Sequence, residues 1–439
     1  MRGEEARASM SWPSPTVRHM RTRRGPTTTT RPTTTTAAVA AVVAVLSSLV
    51  ACSTDDPTAA PSDAEPTATS TTTAPAEPER FDGPVEAFYE VPDPLPEGEP
   101  GQLIRVQEVA EGDGRRTVRI MYHSRDSQDR DRAVTGLVTH PTSPAPEGGW
   151  PVVATAPGTI GLASDCAVSR RGDPVGTFGV DGVGVLTDYI GMGPPGQTQA
   201  YLSRKSEGHS VLDGARAARQ LLDGDASERL LIFGHSQGGH GAQSAHELAE
   251  EHAPELDLLG TVSGAPAAMF DRTYGGIDDI VSSIVMTMGL YGVATDHPEV
   301  DPGDYLGPSA LELEPVLDRA CLGEVIGTFV PAVLGEGYWA KDPATTEPAR
   351  SVLLANDVGN EAVDAPLLLI SGTADERVVH ARVMDLYDRL CEVGQTTELI
   401  VLEGANHDNE IPLASERIGD WFASRLAGEP ASNTCGSAT

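Results

Sequence analysis

From about residue 101 the chain settles into short apolar runs separated by amphipathic stretches. "GQLIRVQEV" (101–109), "RTVRIMYHS" (116–124) and "RAVTGLVTHP" (132–141) set Val, Ile, Leu and Tyr against polar neighbours, the mark of consecutive half-buried strands. "WPVVATAPG" (150–158) is apolar until Pro-Gly stops it, and "GVGVLTDYIGMG" (182–193) is a strand that runs into a glycine-rich loop. The period then changes. In "HSVLDGARAARQLL", Val211, Leu212, Ala215, Ala218 and Leu222 recur at helical spacing. "RLLIFGHS" (229–236) predicts a strand, "GGHGAQSAHELAEEH" (238–252) a helix and "LDLLGTVSGAPA" (256–267) a strand with a small-residue exit.

The same alternation returns near the C-terminus, with strands in "APLLLISGTADERV" (365–378) and "TTELIVLEGANHD" (396–408) and helices in "HARVMDLYDRLCEV" (380–393) and "ERIGDWFASRLAG" (416–428). Buried strands alternating with helices predict an α/β fold, a mostly parallel sheet with helices on both faces. Residues from about 268 to 350 break the pattern and read as helices and loops without strands. An insertion at that point is expected above the C-terminal edge of the sheet, where ligands bind in such folds. Its run "IVSSIVMTMGL" (280–290) fits either the wall of an acyl pocket or a plain helix core.

The N-terminal part is read as an address. Residues 37–51, "AAVAAVVAVLSSLVA", are too short to span a bilayer and follow Arg21, Arg23, Arg24 and Arg31, the layout of a secretory signal peptide over 1–51. Met20 is an alternative start. The signal ends in Leu49-Val50-Ala51-Cys52, which resembles a bacterial lipobox and makes Cys52 the expected lipidation site. Residues 52–80 are Pro, Thr, Ala and acid, and are expected to be a disordered tether ahead of a folded domain over 81–439. The expected location is the outer face of the cell membrane, held by lipid, or free secretion if cleavage falls at Ala51.

Charge narrows the partners. The chain carries 31 basic and 64 acidic residues, a net −33, with Lys205 and Lys341 as its two lysines. Nucleic acid is disfavoured, because phosphate contacts need clustered cations. Of five cysteines, Cys52 is assigned to lipid, which leaves an even set in an oxidising compartment. Four cysteines allow three pairings; Cys166–Cys321 and Cys391–Cys435 are favoured, the second stapling the C-terminal tail to a late helix.

Candidate chemistry centres on Gly234-His235-Ser236-Gln237-Gly238, which follows a strand and opens a helix as a nucleophile elbow requires. A serine hydroxyl needs a base, and the base an orienting carboxylate. Among His252, His297, His380 and His407, only His407 sits in a loop directly after a strand, and Asp375 occupies the loop after the preceding strand, ahead of the rivals Asp357 and Asp408. The triad read this way is Ser236, Asp375 and His407. Oxyanion donors are expected from the backbone N–H of Gln237 and from Thr159, with Gly158 as its rival, in the loop after "WPVVATAP". No metal or cofactor is expected. His240, His246 and His252 lack the His-Glu-x-x-His spacing, and "GVDGVGV" lacks the Lys-Ser/Thr of a phosphate loop.

Together these residues resemble the secretory lipase family of α/β-hydrolases. The resemblance runs from about Gly101 to the C-terminus and rests on "YHSRDSQDRDRAVTGLVTHP", "APGTIGLASDCAVS", "LTDYIGMG", "SVLDGARAARQL", "FGHSQGGHGA", "PLLLISGTADERV" and "GANH". Where the family has a His before Gly-Thr, this chain has Ala156-Pro157-Gly158-Thr159, and where it has Cys-Ala-Pro-Ser, this chain has Cys166-Ala167-Val168-Ser169. The resemblance implies a helical cap over 268–350 and carboxylic ester hydrolysis through an acyl-enzyme on an ester or lipid substrate. Acyl transfer and peptide hydrolysis share that intermediate. A non-catalytic binding lipoprotein on the same scaffold would have no need of an intact triad.

Overall fold

Ten strands form one sheet. In chain order they are β1 (Glu79–Arg80), β2 (Leu103–Gly112), β3 (Arg115–Arg125), β4 (Asp131–Pro141), β5 (Trp150–Ala156), β6 (Val183–Thr187), β7 (Ala226–His235), β8 (Asp257–Gly264), β9 (Leu367–Gly372) and β10 (Thr397–Leu402). Across the sheet the order is β1-β2-β3-β4-β6-β5-β7-β8-β9-β10. Strands β2, β3, β4 and β6 pair antiparallel, while β6, β5, β7, β8, β9 and β10 run parallel. The structure, a computed structural model, describes residues 77–270, 272 and 280–436. The expected signal peptide, Met20, Cys52 and nearly all of the expected tether lie outside the described residues.

The tether's last two residues do not behave as expected, because Glu79 and Arg80 already pair with β2. Arg105 explains the attachment. Its guanidinium donates to the Glu79 carboxylate at 2.6 Å and to the carbonyls of Phe88 and Glu90 at 2.8 Å each, so one side chain on β2 gathers the incoming segment.

The helices are α1 (Val85–Phe88), α2 (Arg204–Leu221), α3 (Gln237–His252), α4 (Ile280–Ala294), α5 (Pro308–Leu311), α6 (Glu314–Leu317), α7 (Leu322–Val333), α8 (Ala349–Ala355), α9 (His380–Val393) and α10 (Glu410–Leu426). Period-two alternation in the central strands sorts them onto two faces. Val152, Ala154, Leu230 and Ile232 pack on α2 and α3 through Val211, Leu212, Ala215, Ala245 and Leu248. Val153, Leu231, Phe233 and Val262 point the other way, onto Ile418, Trp421 and Phe422 of α10. Each large side chain buried this way contributes about 1.5–3 kcal/mol of transfer free energy. The last helix begins at Glu410 rather than near residue 416, because Pro412 stands in its first turn, where a missing N–H breaks no helical hydrogen bond.

Between β8 and β9 the chain runs through α4 to α8 and, among its described residues, forms no strand. These helices have their own core, which includes Ile284, Met288, Tyr305, Leu317, Val325 and Phe329. Two disulfides are present. Cys166–Cys321 ties the start of α7 to the loop after β5, and Cys391–Cys435 ties α9 to the C-terminal tail. No helix among the described residues is long and apolar enough to cross a membrane.

Candidate active site

Ser236 stands between β7 and α3 with φ 63° and ψ −122°, a conformation that side-chain-bearing residues rarely adopt and that costs on the order of 1–3 kcal/mol. The surrounding backbone holds it there. Ser236 N–H donates to the Gly264 carbonyl at 2.9 Å, and its own carbonyl accepts from the N–H groups of His240 and Ala267 at 3.2 Å each. Two glycines are required by close approach. A Cβ on Gly234 would fall on the Gly238 carbonyl, and one on Gly238 would fall on the carbonyl of Ala156 at the end of β5.

Asp375 lies in the loop after β9 and His407 in the loop after β10. Since β7, β9 and β10 run parallel, the serine, acid and histidine all stand at one edge of the sheet. His407 Nδ1 and Asp375 Oδ2 are 2.7 Å apart, and both residues are buried. The other carboxylate oxygen, Asp375 Oδ1, accepts from the backbone N–H groups of Arg377 and Val378 at 2.8 and 2.9 Å. Burial pushes the Asp375 carboxyl up, but the His407 hydrogen bond and charge, with those two N–H groups, outweigh it and hold its pKa below the ordinary value.

A cavity of about 360 Å³ opens at this edge and is lined by Ser236, His407, Gly158 and Thr159 together with apolar side chains that include Tyr201, Phe270, Val285, Met286, Leu322, Ile326 and Leu353. The run 280–290 divides its side chains: Val281, Val285 and Met286 face the cavity, while Met288 and Leu290 fill the core of the inserted helices. Gly158 and Thr159 both reach the cavity. The Thr159 hydroxyl bonds Tyr201 OH at 2.8 Å, and Tyr189 OH donates to the Pro157 carbonyl at 3.1 Å, which fixes the loop from both sides. Gln237 is buried at the first position of α3, its side chain donating to Glu207 Oε1 at 2.7 Å.

The rival residues are occupied elsewhere. His252 bonds Asp213 at 2.9 Å and stacks on His209, His297 faces Glu299, and His380 bonds Ser371 at 2.8 Å. Asp357 pairs with Arg389 and Asp408 with Arg377. His240, His246 and His252 go to three different partners, Glu207, Thr261 and Asp213.

Sequence reasoning missed a second pair at the elbow. His235, directly before Ser236, places Nε2 2.7 Å from Oε1 of the fully buried Glu410, and its ring lies 4.5 Å from that of His407, centroid to centroid. The pair links the Ser236 turn to the helix that follows His407. Glu410 carried no local signal, since an acid at a helix start is ordinary.

The chain is 26% identical over 258 residues to the secreted triacylglycerol lipase LIP4 of Malassezia globosa, covering 55% of each. It is 24% identical over 238 residues to a probable inactive lipase of Mycobacterium tuberculosis, covering 51% of each. The chain thus spans about half the length of these relatives. Among solved structures it superposes on Candida antarctica lipase A in its closed state with a TM-score of 0.67 at 18% identity, covering 81% of this chain and 89% of that one. The profile of the family described as secretory lipase matches residues 180–434, and the chain belongs to that family, with its α/β-hydrolase fold.

Proposed function

We propose that this chain is a carboxylic ester hydrolase, a lipase or esterase, working through Ser236, His407 and Asp375. The observation that carries the reading is the His407–Asp375 contact at 2.7 Å beside a cavity that Ser236 and His407 both line. Asp375 accepts the Nδ1 proton of His407, which makes Nε2 the basic nitrogen. Ser236 Oγ attacks the ester carbonyl while His407 takes the hydroxyl proton. The oxyanion that forms is held by the backbone N–H groups of Gln237 and Thr159. Collapse expels the alcohol, which takes that proton from His407 and leaves an acyl group on Ser236. Water, deprotonated by His407, then releases the acid.

The apolar walls suit the acyl chain of the substrate and exclude water around it. In this reading residues 268–350 are the cap, since Val281, Val285, Met286, Leu322 and Ile326 all belong to that stretch. Residues 1–51 direct export, Cys52 takes the lipid, and 52–80 hold the enzyme away from the outer face of the membrane. The test is hydrolysis of p-nitrophenyl esters together with labelling by a fluorophosphonate. Ser236→Ala should lose both, and an undiminished rate in that variant would end the proposal.

A further inference from the structure

Three metal-ligating side chains converge at the Ser236 elbow. His235, His407 and Glu410 each present a ligand atom, and these atoms lie within 4.8 Å of one another. Glu410 is fully buried. Its Oε1 is engaged by His235, while Oε2 has no hydrogen-bond partner. A buried carboxylate oxygen without a donor is the kind of group a cation satisfies. His407 has Nδ1 committed to Asp375 at 2.7 Å, so the nitrogen it offers is Nε2. That is the carboxylate–histidine–metal arrangement in which an outer carboxylate orients the ligating imidazole.

We propose that His235, His407 and Glu410 form a site for a divalent transition metal, zinc above all, and that an ion held there reversibly silences the enzyme. Two imidazoles and a carboxylate are a zinc donor set, with the fourth position open to the cavity. Hard cations such as calcium and magnesium need more oxygen ligands than this site provides. Thiolate competition within the folded part is absent, since Cys166, Cys321, Cys391 and Cys435 are paired in disulfides. The net charge of −33 raises the local cation concentration. The ion takes the Nε2 lone pair of His407, the same lone pair that would accept the Ser236 proton. His235 gives up its hydrogen bond to Glu410 by carrying its ring proton on Nδ1 instead of Nε2, and the freed Nε2 lone pair turns to the metal.

Silencing rests on the proposed hydrolase reading, whereas binding does not, so the two are tested apart. Binding is measured on the Ser236→Ala protein by zinc calorimetry and by the visible absorption of added cobalt. One site per chain and a four-coordinate cobalt spectrum are expected, and both should vanish when His235→Gln or Glu410→Gln is added to Ser236→Ala. Absence of binding in Ser236→Ala, or unchanged binding in both added variants, overturns the site. Inhibition is measured on the Ser236 enzyme with p-nitrophenyl esters. Zinc should abolish hydrolysis, EDTA restore it, and calcium and magnesium leave it unchanged. In His235→Gln and in Glu410→Gln, each compared with its own zinc-free rate, the half-inhibiting zinc concentration should rise at least tenfold. An unshifted value in both places the inhibiting ion elsewhere and overturns the silencing role.

Discussion

Glu207 Oε2 lies 2.7 Å from His240 Nδ1, with both side chains fully buried. Glu207 Oε1 accepts from Gln237 Nε2 at 2.7 Å and from the Leu202 N–H at 3.0 Å. One carboxylate on α2 therefore grips the first turn of α3 at two points, immediately behind Ser236. His240 Nε2 sits 2.8 Å from the carbonyl of Asn356, just past α8, so the elbow is also joined to the end of the inserted helices. Burial works to keep His240 neutral, but the charge and hydrogen bond of Glu207 and the Asn356 carbonyl raise its pKa above the ordinary value. A cationic ring donates from both nitrogens, which is what these two acceptors require.

Removing one partner of such a pair leaves the other buried and unmatched. Glu207→Ala is expected to lower stability by about 3–5 kcal/mol, read as a shift in the urea midpoint at unchanged slope. Glu207→Gln keeps an acceptor for His240 and should lose less. A cost under about 1 kcal/mol for Glu207→Ala would mean that the contact is not holding the elbow.

Buried histidines also set the pH dependence of stability, with opposite signs. His240 has a raised folded pKa, so its contribution is complete below the unfolded value of about 6.5 and is lost as pH rises through the folded one. Burial pushes His209 and His246 down to about 4, the neighbouring His252 adding to the effect at His209. Their contribution is present above about 6.5 and is lost as pH falls towards 4, because the unfolded chain binds protons that the folded one refuses. Near pH 5 each should add a slope of about 1 kcal/mol per pH unit to the acid limb. Denaturant titrations from pH 4 to 8 should show that limb flatten by this amount in His246→Gln, and an unchanged limb would mean that His246 charges freely in the fold.

The sheet and the elbow were legible because their signals are local. Period-two runs marked the strands, and Gly234 and Gly238 marked a turn with no room for Cβ atoms. That Asp375 and His407 would come together was legible because each follows a strand directly, in the chain order the proposed site uses. The Glu207–Gln237 and His235–Glu410 contacts join residues 30 and 175 positions apart, and no periodicity records which charged side chain a fold will bury beside which. The early start of the sheet at Glu79 escaped for a similar reason, since it depends on Arg105 reaching across from β2.

The Asp375 hydrogen bond gives a kinetic prediction. Asp375→Asn keeps the shape of the side chain but cannot hold His407 in the tautomer that leaves Nε2 basic. In the proposed mechanism kcat for p-nitrophenyl esters should fall by roughly 10⁴ with KM little changed, the size of effect an analogous change has in serine proteases. Loss of the charge also removes the contribution of the lowered Asp375 pKa, which is present above about 3.9 and lost as pH falls through the folded value. A kcat within tenfold of the parent would show that another group orients His407.

The two disulfides should separate stability from catalysis. Cys166–Cys321 closes onto a short seam in which Leu322 N–H donates to the Ile160 carbonyl at 2.9 Å and Gly161 bridges Cys321. Both sides of that seam reach the cavity, Gly158 and Thr159 from the loop after β5 and Leu322 and Ile326 from α7. Cys391–Cys435 joins α9 to the tail and contributes nothing to the cavity lining. Replacing either pair by alanines should cost about 2–4 kcal/mol in stability. Only the Cys166→Ala/Cys321→Ala protein should also lose kcat and shift its preference among acyl chain lengths, because only that bridge fixes the proposed oxyanion loop against a cavity wall. Stability is read by thermal unfolding and preference by p-nitrophenyl esters from acetate to palmitate. Equal kinetics in the two double variants would show that the α7 seam holds the loop without its disulfide.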